Sequence, residues 1–270
     1  MSYAADTSAE IDRLVWGIGG RMREKHGSRL QAMARDIDLD SIELLPLLAG
    51  FLLDGLLTDE VAALRLRYAD PAVVTGRLNE LEAKDLAEKQ DGAWRASARL
   101  RPLLKAIRSE VADVAFEKWG GHDVNVSIVT EAARSLRDVI NDRQIVAAAH
   151  AKVKAPIDRY ALLEQRLVTL RYMRQQDHAD AWLDRGLSAA EVVIVTGLWR
   201  GEEVDAPEGP LESLRKAELV RADAVELTEH GRTVRAAIED DTNVRTQRSF
   251  DHMDEDMAAR FQNGLRSLPA

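Results

Sequence analysis

Gln175, Gln176, Asp177 and His178 stand in a row, with Arg171 and Arg174 seven and four positions before the histidine. On a helix that spacing brings both guanidinium groups close to the histidine's own face. A second polar cluster, Glu239, Thr242 and Asn243, lies downstream. If the two meet, Arg171, Arg174, His178, Trp182, Glu239 and Asn243 would line a small-molecule pocket, where charged and amide groups orient a ligand and an indole walls it. A hydrogen-bonded network that only holds two parts of the chain together would use the same residues, since buried polar groups need partners. The ordinary histidine pKa lies near enough to neutrality for His178 to act as a switch.

Other chemistries find less support. The six histidines, at 26, 122, 150, 178, 230 and 252, never fall at the i, i+4 spacing of a helical zinc site. With no cysteine in the chain, disulfides and thiolate metal sites are excluded. Asp177, His178 and Asp180 therefore read as solvated or ion-paired, and neither a metal nor a cofactor is expected. Gln175-x-Asp177 is only superficially similar to the Gln-x-Gln motif of tandem winged-helix DNA glycosylases. There is no Gly-rich phosphate loop, no G-x-S-x-G elbow and no H-E-x-x-H motif. No convergent catalytic constellation remains, and an enzyme is not expected.

The residues suited to nucleic acid lie earlier. Thr75, Arg77 and Asn79 fall on one side of a helical segment over 70–85, and Arg95, Arg99 and Arg101 lie at and beyond a hairpin that follows it. A helix in the major groove with a wing beside the phosphates would use them in that order. Residues 61–108 hold 10 Lys/Arg against 6 Asp/Glu, a net of +4, whereas the equally long window 188–235 reverses the numbers to 6 and 10, a net of −4. Glu202, Glu203, Asp205 and Glu208 directly precede the second window's counterpart helix. If duplex DNA binds, the first segment should dominate.

The elements that must place these residues come from periodicity and turn chemistry. Residues 7–35 predict a helix that Gly17, Gly19 and Gly20 could kink. Asp36 to Asp40 is a connector, and an apolar helix from Ser41 ends at Gly55. Thr58 caps a helix carrying Val61, Leu64 and Tyr68, and Asp70-Pro71 opens another carrying Val74, Leu78 and Leu81. Asp91-Gly92 is a hairpin turn whose tip would expose Trp94, and a long helix resumes after Ser97 through Trp119. Trp94, Trp119, Trp182 and Trp199 could together wall an apolar pocket, or simply pack in cores. Gly120-Gly121 ends the long helix, and 129–151 and 160–185 read as two more. Ser188 with Glu191 makes a capping box.

Leu211, Leu214 and Leu219 repeat the spacing of Leu78, Leu81 and Leu86, each triplet is followed by a short hairpin, and Ser97 and Thr228 each precede a helix, Thr228 being placed to cap it. The second hairpin, Val220 to Leu227, is two residues shorter. The expected fold is mainly α, with two tandem winged helix-turn-helix units bearing small β-wings and joined by long helices. By segment this gives an N-terminal helical stretch at 1–40, a first winged unit with its long helix at 41–120, a central connector at 121–185, and a second winged unit with a C-terminal helix at 186–270.

The net charge of −9 opposes indiscriminate binding to phosphates. Met1 to Asp6 shows no basic start before an apolar run, and the most apolar stretch, Ile42 to Leu57, is interrupted by Glu43, Pro46, Gly50 and Asp54. A soluble cytoplasmic protein with no membrane partner is expected.

The two units resemble the MarR-like winged helix superfamily, and the second half is similar to the SalK-like helix-turn-helix family. The matching residues are LRYMRQQDHADAWLDRGLS at 170–188, LWRG at 198–201, LTEHGRTVR at 227–235 and IEDDTN at 238–243. The resemblance implies a fused pair of winged helices, a single-chain pseudo-dimer, acting as a transcriptional regulator; double-stranded DNA as its partner and a small-molecule effector at the polar clusters are expected from the residues themselves. A winged-helix scaffold that has lost DNA binding and serves as a ligand-binding or protein-interaction module is the alternative.

Overall fold

A computed structural model describes residues 3–69 and 71–270. It divides into two compact units, one formed by 1–173 with 249–270 and the other by 174–248. These boundaries fall inside two long helices and do not follow the segments expected from sequence.

The first unit opens with α1 (Tyr3–Arg35), whose Ile11, Leu14, Ile18 and Met22 recur at helical spacing and are buried. The helix runs unbroken through Gly17, Gly19 and Gly20. A Cβ on Gly17 would sit 2.6 Å from the backbone of Ala270, so this glycine admits the C-terminal residues against the helix rather than bending it. The second helix, α2 (Leu45–Asp54), starts four residues later than predicted, with Pro46 in its first turn, and ends at Gly55 in the left-handed conformation. Five of its ten residues are buried, as the all-round apolar pattern requires.

Then comes the winged-helix order. Strand β1 (Leu57–Thr58) leads into α3 (Asp59–Arg65), where the Thr58 hydroxyl accepts the Val61 N–H at 3.1 Å. Helix α4 (Pro71–Ala83) buries Val74, Leu78 and Leu81, and the predicted Asp70 cap lies outside the described residues. Strands β2 (Ala87–Gln90) and β3 (Ala93–Ala96) pair antiparallel through Asp91 and Gly92, both at positive φ, and β1 adds to the far side of β3 with Leu57 opposite Trp94. Helix α5 (Arg101–Trp119) begins after a turn, so Ser97 does not cap it, and the buried Ser97 hydroxyl has no partner.

The stretch read as one helix over 129–151 is two, α6 (Asp123–Arg137) and α7 (Ile145–Ala151). Helix α8 (Arg159–Leu183) follows. The chain closes this unit with α12 (Glu255–Ser267), capped by Asp254, which accepts the Met257 N–H at 2.8 Å. Phe261 and Leu265 are fully buried, and the missing Cβ of Gly264 lets Val129 of α6 approach.

The second unit contains the end of α8, closed by Gly186 at φ 72°, then α9 (Ala189–Trp199), α10 (Glu208–Lys216) and most of α11 (Glu229–Phe250). Ser188 and Glu191 form the predicted capping box. Thr228 caps α11 by accepting the Gly231 N–H at 2.9 Å. The second wing is smaller than two strands. It is a single antiparallel bridge, Val220 to Leu227, closed by the Arg221 N–H on the Glu226 carbonyl. The separate core of this unit holds Trp182, Val192, Val195, Leu211, Leu214 and Ile238.

Candidate functional site

From Pro71 to Asn79 helix α4 presents an uncharged face, with the exposed Glu82 following in its last turn. Pro71, Ala72, Val73, Thr75, Gly76 and Asn79 are exposed, while Val74 and Leu78 hold the opposite side in the core. No side chain of residues 71–79 carries a negative charge, and the small residues let a groove approach the backbone closely. Thr75 and Asn79 therefore stand where the sequence placed them, available for base-edge hydrogen bonds.

The predicted arginines divide. Arg77 is half-buried and paired with Glu80 at 2.5 Å. Arg95 folds inward, its guanidinium lying where a Gly55 side chain would be, and its Nε is buried without a partner. Arg99 is exposed, donates to the Lys84 carbonyl at 2.9 Å and lies 3.5 Å from Asp38. Arg101 is exposed in the first turn of α5. An exposed pair such as that of Arg99 is worth roughly 0–1 kcal/mol and exchanges readily for another anion, so Arg99 and Arg101, unlike Arg77 and Arg95, present their charge to solvent.

A solvent-open cavity of about 550 Å³ lies between α3, α4 and the hairpin. Leu66, Val74, Leu78 and Trp94 form its apolar wall, and Asp59, Lys89, Thr75 and Asn79 its polar one. Trp94 corrects an expectation, being buried rather than exposed at the wing tip. Its indole N–H donates to Asp59 Oδ1 at 2.8 Å, and Lys89 pairs with the other oxygen of the same carboxylate. The Lys89 and Trp94 hydrogen bonds together hold the Asp59 carboxyl below its ordinary range. The four tryptophans wall no common pocket, since Trp119 and Trp182 are core residues and Trp199 is half-exposed.

The equivalent helix of the second unit is different. Glu208, Gly209, Glu212, Ser213 and Lys216 are its exposed residues. Lys216 is paired with Glu212 at 2.9 Å and Arg215 with Glu208 at 3.6 Å. At the reduced wing, Arg221 is bound by Asp223 at 3.0 Å and lies 3.7 Å from Glu226.

The second unit does bring together most of the polar cluster. Arg174 donates to Asn243 Oδ1 at 3.0 Å and to Glu239 Oε2 at 3.2 Å, and His178 Nδ1 lies 3.2 Å from the Thr242 hydroxyl and 3.9 Å from Glu239. Trp182 is on the same helix one turn on, buried, with its indole N–H unpartnered. Arg171 is not among them. It pairs with Asp12 at 2.7 Å and stacks over Trp16 in the first unit. Sequence reasoning missed Arg235, which is 4 % exposed, bonds Glu239 at 2.7 Å and Thr196 at 3.1 Å, and lies over the Trp199 ring. The i, i+4 spacing to Glu239 was a local signal for it. Burial would raise the Glu239 carboxyl, but the charge and hydrogen bond of Arg235, then His178 and Arg174, bring it below its ordinary value. Asp177 and Thr246, also unforeseen, bond at 2.9 Å.

Among the described residues no group of three or more His, Asp or Glu side chains could hold a metal ion, and no helix is long and apolar enough to cross a membrane.

Strand, two helices, hairpin and flanking helix in this order define a winged helix-turn-helix protein, the class in which the second of the two helices enters a DNA groove. A helix-turn-helix family model matches residues 65–270, and the chain belongs to that family. No curated protein and no solved structure matches the chain significantly.

Proposed function

We propose that the chain is a MarR-like, SalK-like transcriptional regulator of the cytoplasm, built as a single-chain pseudo-dimer, that binds double-stranded DNA and responds to a small molecule. The observation that carries the DNA part is the exposed face of α4, free of negative charge from Pro71 to Asn79 and followed by a wing and by Arg99 and Arg101. Base-edge contacts fall to Thr75 and Asn79, and phosphate contacts to Arg99 and Arg101. Arg77 and Arg95 enter only after release from Glu80 and from the bed of Gly55.

Binding to a duplex should weaken steeply with salt, and Arg101→Ala should lower the slope of log affinity against log salt by about one. Asn79→Ala should weaken specific binding by about 1–3 kcal/mol without changing that slope. Absence of any mobility shift at low salt would leave the second reading, a winged-helix module for ligands or proteins, which the overall charge of −9 favours.

For the effector, Arg174, His178 and Asn243 supply donors and acceptors around the Glu239 carboxylate, with Trp182 beside them. A compound that raises the melting temperature of the wild-type chain should lose that effect in His178→Ala. An undiminished rise removes His178 from the site.

A further inference from the structure

We infer that only one of the two units reads DNA, so that the partner is a duplex with a single asymmetric half-site rather than an inverted repeat. The inference rests on the DNA-binding reading above and narrows it. A pair of equivalent heads, as in a two-fold regulator, would engage two half-sites one helical turn apart. Here the heads are not equivalent at any of three levels.

The first level is charge. The windows carrying the two heads have opposite net charge, +4 and −4 over equal length. The second is the helix that would enter the groove. Helix α4 exposes Ala72, Val73, Thr75, Gly76 and Asn79 with no carboxylate among residues 71–79 and one exposed carboxylate, Glu82, in its last turn, whereas α10 exposes Glu208 and Glu212 within nine residues, preceded by exposed Glu202, Glu203 and Asp205. A carboxylate can accept from a cytosine amino group, but five in and just before one short helix confront the phosphates on both walls of the groove.

The third level is the supply of cations. In the acidic head Arg200 lies 3.7 Å from Glu202, Arg215 faces Glu208, Lys216 faces Glu212, and Arg221 is held between Asp223 and Glu226. Arg235 is buried, and of the six cations of this window only Arg232, exposed at the fourth position after Thr228 as Arg101 is after Ser97, stands outside these ion pairs. Freeing any of the four paired ones for a phosphate would leave its carboxylate beside that phosphate, so a single cation of this head meets a phosphate without that cost. The wing offers no remedy, because one bridge from Val220 to Leu227 replaces the four-residue strands of the other hairpin.

The test is selection of the full-length protein on a randomised duplex library at low salt, with the enriched sequences read out. A single motif without dyad symmetry is the expected result. Enrichment of an inverted repeat with centres about 10 base pairs apart would overturn the inference while leaving DNA binding intact. Retention of no duplex at all would overturn the DNA reading itself. A second arm uses exposed residues in each head. Against the selected duplex, Arg101→Glu should weaken binding by roughly tenfold or more, and Lys216→Glu by less than about twofold. Equal losses would show that both heads touch DNA, and the inference would fall.

Discussion

The fold displaces the protonation of His150 and Glu164 so that the two pull stability in opposite directions. Burial, with the charges of Arg65 and Arg108, holds the His150 imidazole down at about 3, while its Nδ1 shares a 2.8 Å hydrogen bond with Thr169. Burial pushes the Glu164 carboxyl up to about 7 against the opposing charge of Arg108. Between pH 3 and 6.5 the unfolded chain takes up the histidine proton that the folded chain refuses, so this group stabilises above its unfolded value of 6.5 and the stabilisation is lost as pH falls toward 3. Between 4.5 and about 7 the folded chain retains the glutamate proton that the unfolded chain gives up, so this contribution is present below 4.5 and is lost as pH rises. The two slopes cancel from 4.5 to 6.5, leaving an acid limb set by His150. Glu164→Gln should therefore gain stability relative to the parent as pH rises from 4.5 to 7, by roughly 3 kcal/mol, and the gain should then level off in urea titrations. A difference independent of pH would show that the carboxyl titrates normally.

At the same scale, Glu239→Ala would leave the guanidinium of Arg235 buried with its main ion pair removed. Because Glu239 is itself partly exposed, a loss of about 2 kcal/mol is expected, less than for a wholly buried pair, whereas Lys216→Ala on the exposed face of α10 should cost under about 0.5 kcal/mol. Equilibrium denaturation of the two variants checks the contrast. Such residues also mark where sequence reading stops. Arg174, His178, Glu239 and Asn243 could be paired because the two clusters were visibly polar on helical stretches. The burial of Trp94 depends on Asp59, thirty-five positions away, and the capture of Arg171 on Asp12, far upstream, which no local spacing reveals.

Among the elements, the caps and turns were legible because each is decided within a few residues. Thr58, Ser188 and Thr228 accept the N–H groups that their positions required, Gly55 and Gly186 end their helices, and Asp91-Gly92 turns the hairpin. Replacing Ser188 by Ala should cost about 1 kcal/mol, because the capping box with Glu191 is lost, and the same change at Ser97 should cost far less since its hydroxyl bonds to nothing. Thermal melts of both variants are the measurement. The length of the second wing was not legible. Its alternation gives the pairing of Val220 with Leu227, but the pairing is confined to that bridge, and beyond it Gly231 lies against Leu219, where a Cβ would sit only 2.1 Å from the carbonyl oxygen. Gly231→Ala should accordingly displace the start of α11 and lower the stability of the second unit by about 1–3 kcal/mol, which hydrogen exchange at residues 219–235 would localise.

For the molecule as a whole, the predicted class was recoverable from the repeat, while the division into units was not, because helices α8 and α11 run without interruption through the boundaries at 173 and 249. The first unit is discontinuous, and α12 is part of its core, with Phe261 and Leu265 buried, the Trp119 indole donating to the Pro269 carbonyl at 3.0 Å and Lys118 bonding Ala270. A chain stopped at 248 should lose cooperative unfolding of the first unit while amides of 189–238 keep their protection from exchange. Equal loss in both regions would contradict the separate cores. The same return of the chain has a consequence during translation. Once residue 173 has been polymerised, the ribosome must add 97 more before the last helix can cover Val129 and Trp119, an interval on the order of ten seconds at ordinary elongation rates. Throughout that delay the nascent first unit presents an uncovered greasy seam, a natural binding spot for a holdase, and slow codons placed after 173 would lengthen its exposure.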